Sequence, residues 1–89
     1  MQSLRDLLNE QLRDLFDAEL QFNALLLDMI DKATSHDLTE ALIKIAEDTR
    51  ENIRQVEQVC ELFSTNPSGV TCEAMRGLIR EAHVTTKVD

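Results

Sequence analysis

With 89 residues the chain is one small domain, able to bury only about 60 to 65% of the surface its unfolded form exposes, so its core is marginal for a monomer. Seventeen Asp and Glu against nine Lys and Arg leave a net charge of -8, which argues against a nucleic-acid partner and against an anionic membrane surface. The lack of Trp and Tyr removes the aromatic platforms that single-stranded nucleic acid uses.

The first stretch, residues 3–33, reads as one long amphipathic helix starting at Gln2 or Ser3. Leu8, Leu12, Leu15, Glu19, Phe22, Leu26, Met29 and Ala33 alternate spacings of four and three, the seam of a helix packed lengthwise on another. Leu7, Phe16, Leu20, Leu25 and Leu27 widen the apolar arc to about 200°, beyond the roughly 100° one neighbour needs. Glu19 is the exception within the seam. A carboxylate taken out of water costs several kcal/mol unless a proton, a hydrogen bond, a cation or a metal compensates it.

Residues 34–37 form a turn in which Ser35 is the N-cap candidate and His36 an exposed first helical residue. The second helix spans residues 36–64, with Leu38, Leu42, Ile45, Ala46, Thr49, Ile53, Val56, Cys60 and Phe63 as its stripe. Folded back antiparallel, Glu19 falls opposite Thr49, with Asn52 and Asp48 on the flank. Glu47 points to solvent.

Asn66-Pro67-Ser68-Gly69 breaks the chain. Thr71 then caps a short third helix over residues 71–83, with a frayed tail over residues 84–89. His83 sits near its end, where the helix dipole favours a cation. Cys60 and Cys72 lack metal-clamp spacing and read as buried thiols, Cys72 with an alternative redox role in the first turn. No signal segment is visible, which implies a cytoplasmic protein. A third helix of about 20 Å cannot cover a hairpin twice its length. A homodimer or larger assembly is therefore expected, a second hairpin completing a four-helix bundle.

The runs Leu4-Arg5-Asp6-Leu7-Leu8, Gln11 to Glu19, Glu47-Asp48-Thr49-Arg50 and Cys72-Glu73-Ala74-Met75-Arg76-Gly77-Leu78-Ile79 resemble the YciE/YciF-type stress proteins of the ferritin-like superfamily, across residues 3–82. The resemblance implies an all-α, ferritin-like fold, a stress-related role and a di-iron type carboxylate site holding iron or manganese. It places metal ligands on Glu19, Asp48 and Glu81. Where family members tend to carry histidine, this chain has Ile45 and Asn52, and Phe16 replaces the usual tyrosine. Family members also continue into a fourth helix with further Glu and His ligands, which these residues do not include. Either a symmetric partner supplies the rest or the site has decayed, leaving Glu19 to Thr49, Asn52 or an arginine. No Ser-His-Asp, Cys-His or phosphate-loop constellation points to an enzyme. The competing reading is a metal-free structural or interaction module that associates with itself.

Overall fold

Ser3 starts the first helix through a capping box: its hydroxyl accepts from the Asp6 amide at 3.1 Å, and its own amide donates to the Asp6 carboxylate at 3.4 Å. In a computed structural model the chain forms three helices, α1 (Leu4–Lys32), α2 (His36–Leu62) and α3 (Glu73–Val88). The structure describes residues 3–88, and of residues 85–88 only the backbone; Gln2 and Asp89 lie outside the described residues.

Ala33 leaves the helical region at φ -69° and ψ 136°, and Ser35 caps α2 by accepting from the Leu38 amide at 3.3 Å. The turn folds α2 back along α1. Leu26, Leu42 and Ala46 are buried together, with Phe22, Ile30 and Ala33 packed around them, which is the antiparallel register the seam demands.

The far end of α2 closes with a motif that usually takes glycine. Ser64 adopts φ 54°, its amide donates to the Glu61 carbonyl at 3.1 Å, and the Thr65 amide reaches back to the Cys60 carbonyl at 2.8 Å. That pair of bonds is a Schellman cap. It ends the helix at Leu62, two residues before the boundary the sequence suggests.

A ladder of polar residues on α1 then guides the chain across. Arg5 donates to the Phe63 carbonyl, Asn9 accepts from the Thr65 hydroxyl, Arg13 donates to the Asn66 carbonyl, and Asp17 and Gln21 hold the backbone of Cys72. Each step of four residues advances about 40° beyond a full turn, so the ladder winds round α1 from its α2 side to its α3 side.

The third helix differs from its sequence expectation at both ends. Thr71 is not its cap: the Cys72 amide is taken by Asp17, and helical hydrogen bonding begins with the Arg76 amide on the Cys72 carbonyl at 3.1 Å. Nor does it stop near His83, since α3 continues to Val88. Val84, Thr85 and Thr86 lower helix propensity only by tenths of a kcal/mol each, and neither Gly nor Pro interrupts them.

Among the described residues both α2 and α3 pack on α1 but not on each other. The molecule is accordingly elongated, 49 × 25 × 16 Å, with a radius of gyration of 15.4 Å against about 12 Å for a globular chain of this length. Its accessible surface is 6570 Å², where a compact monomer of this mass exposes about 5300 Å².

Candidate functional site

Part of the exposed apolar surface lies along one side of the hairpin. On α1 the residues seven apart, Leu8, Leu15, Phe22 and Met29, share a face, and on α2 the same holds for Leu38, Ile45, Asn52 and Val59. Only the alternate seam residues Leu12 and Leu26 are fully buried by α2; Leu15, Met29, Leu38 and Ile45 stay 41 to 50% exposed. These faces meet in a cleft floored by α1. Toward the chain's start it is lined by Leu12, Leu15, Glu19, Asn52, Gln55, Val56 and Val59. Toward the hairpin turn a second hollow of about 220 Å³ lies between α2 and α3, bounded by Leu25, Asp28, Met29, Lys32, Ala33, Leu38, Leu42, Ala82 and His83.

Glu19 is half-buried in the middle of this cleft. Among the described residues nothing donates a hydrogen bond to it and no cation pairs with it. Thr49, expected to meet it, is buried, but its hydroxyl donates to the Ile45 carbonyl of its own helix at 2.8 Å. Asn52 is exposed and lines the same cleft. The other two residues implied as ligands, Asp48 and Glu81, are exposed. Among the described residues no group of three or more His, Cys, Asp or Glu is placed to hold a metal ion, so Glu19, Asp48 and Glu81 are not brought together. One carboxylate beside two amides is too poor an anionic set for a pair of hard cations. The donors within one chain therefore do not fit a di-iron centre.

Both thiols are buried and free. Burial pushes the Cys60 thiol up from its ordinary value, against the opposing pull of the Arg13 charge. His36 is exposed and pairs with Glu40 at 3.1 Å across one helical turn, and His83 is exposed at the edge of the hollow. No helix among the described residues is long and apolar enough to cross a membrane.

The ladder on α1 was not legible as a function of the sequence motifs, although its signal was present: polar residues recur every four positions at 5, 9, 13, 17 and 21. Apart from Asn9, which takes the Thr65 hydroxyl, what they hold is backbone between α2 and α3, which carries no sequence signature.

A family model described as a domain of unknown function, DUF892, matches residues 3–88. The chain belongs to the DUF892 family. Among solved structures, YcfI from Rhodopseudomonas palustris, itself proposed to be a structural protein, is similar to this DUF892 chain at 40% identity and a TM-score of 0.89. The match takes in 99% of this chain and 56% of YcfI, so the chain spans little more than half of that protein's length. No curated protein matches it significantly. The all-α arrangement agrees with a ferritin-like set of helices.

Proposed function

We propose that this DUF892 protein is a structural module that acts by offering its apolar cleft to a further amphipathic helix. The observation that carries this reading is the set of exposed or half-buried apolar side chains Leu15, Phe22 and Met29 on α1 and Leu38, Ile45 and Val59 on α2, interrupted by Glu19 and Asn52. Large contiguous apolar patches on small proteins mark interaction sites, and a helix laid into such a groove is a common mode of recognition. With α3 already beside α1, one more helix, rather than a second hairpin, completes a four-helix arrangement. The structural role proposed for YcfI favours the same reading. A stress-related role follows from the resemblance to the YciE/YciF-type proteins.

A carboxylate metal site is the second reading, favoured by the unpartnered Glu19 in the cleft. Its ligands would have to come in part from outside this chain's own donors.

Nile red, a neutral dye that brightens in apolar surroundings, tests the first reading in dilute protein. Bright, blue-shifted emission that Ile45→Arg abolishes without loss of helicity is the expected result; emission no higher than that of a well-packed control protein refutes the cleft. Metal analysis after growth in iron and manganese tests the second. Less than about a tenth of an ion per chain, unchanged in Glu19→Ala, removes it.

A further inference from the structure

We propose that the hollow between α2 and α3 is a binding site for a small lipophilic amine, a molecule with one apolar body and one ammonium head. The site stands apart from the docking reading, because it lies at the hairpin-turn end and α3 forms one of its walls. Its apolar part follows from the fold. Since α2 and α3 each lean on α1 and, among the described residues, not on each other, they leave a wedge walled by Leu25, Met29, Ala33, Leu38, Leu42 and Ala82. Met29 and Leu38 remain 41% and 50% exposed, apolar surface that an occupant covers. The volume of about 220 Å³ sets the size. An apolar cavity of about 150 Å³ takes a benzene ring, so this one takes a body of about eight carbons.

The polar groups gather at one edge. Asp28, Lys32 and His83 line this hollow and also a neighbouring one between α1 and α3, so a head group leaving the apolar chamber meets them. Four observations give that head a positive charge. The Lys32 ammonium pairs with Asp28 at 3.0 Å, but its side chain is 61% exposed against 39% for Asp28. The lysine can swing into water on its long stem, while the shorter carboxylate stays at the edge of the hollow. The last turn of α1, which supplies Met29, Lys32 and Ala33 to the wall, brings the negative end of the helix dipole to this end of the fold. The start of α2 would draw an anion, but Ser35 already accepts from the Leu38 amide at 3.3 Å and Asp37 places a carboxylate in the first turn. The net charge of -8 attracts a cation at long range and repels a fatty-acid carboxylate of the same size.

Titration calorimetry of the full chain with octylammonium, octanol and octanoate tests this, because the three share one apolar body and differ in the charge of the head. At about pH 8 an alkylamine is charged and an imidazole in water is not. Octylammonium should bind with a Kd below about 1 mM, octanol more weakly, and octanoate more weakly still. Asp28→Asn should weaken octylammonium at least about threefold and leave octanol unchanged. Lys32→Gln, which uncovers the carboxylate, should strengthen it. Glu47→Gln makes the same change in net charge as Asp28→Asn at an exposed site outside the hollow, and should leave the affinity unaltered. Ala82→Leu, which fills the hollow from α3, should abolish binding of octylammonium and octanol alike at unchanged helicity. Tighter binding of octanoate, equal binding of all three, or no binding of octylammonium each overturns the inference. So does octylammonium binding that Lys32→Gln weakens, or that either Asp28→Asn or Ala82→Leu leaves unchanged, the mark of an amine drawn to an acidic surface in general.

Discussion

The Asp17 carboxylate on α1 accepts the backbone N–H of Cys72 at 2.6 Å, one residue before α3 begins. The Gln21 amide, one turn further along α1, donates both to that carboxylate and to the Cys72 carbonyl. Asp17 thus does for α3 what a capping side chain usually does from within its own helix, and it fixes where α3 lands on α1. Removing an N-cap acceptor costs about 1 kcal/mol, and leaving a part-buried amide unpaired adds to it. Asp17→Ala should therefore cost about 1 to 2 kcal/mol, lowering the melting temperature by roughly 4 to 15 °C for a chain of this size. Amide hydrogen exchange should quicken across α3 while the buried turns of α1 and α2 keep their protection; uniform quickening would show that Asp17 does not act through α3.

The loop between α2 and α3 contains two residues with positive φ and opposite prospects. Ser64, at φ 54°, occupies the cap position that favours glycine. Ser64→Gly should raise stability by about 0.5 to 1 kcal/mol, because glycine enters that region without penalty. Gly69 stands at φ 100° with open space where a Cβ would lie. Gly69→Ala should cost about 1 kcal/mol or more through the backbone alone. Urea unfolding midpoints read both signs.

Cys60 is buried, and desolvation raises its thiol above the ordinary value near 9.0. The fold therefore favours the neutral form. The stability this provides is complete below the ionisation of the unfolded thiol and is lost as pH climbs from there through the folded value. The melting temperature should decline more steeply above about pH 9 in the wild-type chain than in Cys60→Ala. At pH 8 an alkylating reagent should modify native Cys60 at least about tenfold more slowly than the urea-unfolded chain.

Among the described residues Glu19 meets neither a donor nor a cation, while it is half-buried among Leu12, Leu15 and Val56. Glu19→Leu should therefore hold or raise the stability of the fold, by up to about 1 kcal/mol, as replacing a poorly compensated buried charge often does. Calorimetry on metal-free protein measures it. A marked loss would mean that the carboxylate is held by a partner, and a loss confined to metal-loaded protein would identify that partner as the ion.

How far the sequence could be read is clear from particular residues. The seam from Leu8 to Ala33 and the Ser35 cap lead to the hairpin, because helical periodicity and capping are local properties recorded at fixed spacing. The seam does not reveal that only its alternate members, Leu12 and Leu26, are covered, while Leu15 and Met29 face an open cleft. Nor does it reveal that Thr49 spends its hydroxyl on its own helix. A side-chain donor bonds whatever is nearest, and for Thr49 that is the Ile45 carbonyl one turn back.

Sequence alone thus determined three helices, their order, the turn after Lys32 and the break around Pro67, since each follows from propensities and spacings within a few residues. Tertiary structure alone decided that α3 lies on α1 and away from α2, that it starts under the Asp17 carboxylate, and that Glu19, Asp48 and Glu81 remain apart. Those outcomes depend on hydrogen bonds between residues more than fifty positions apart. No local pattern encodes which backbone groups a distant side chain will reach once the hairpin has closed.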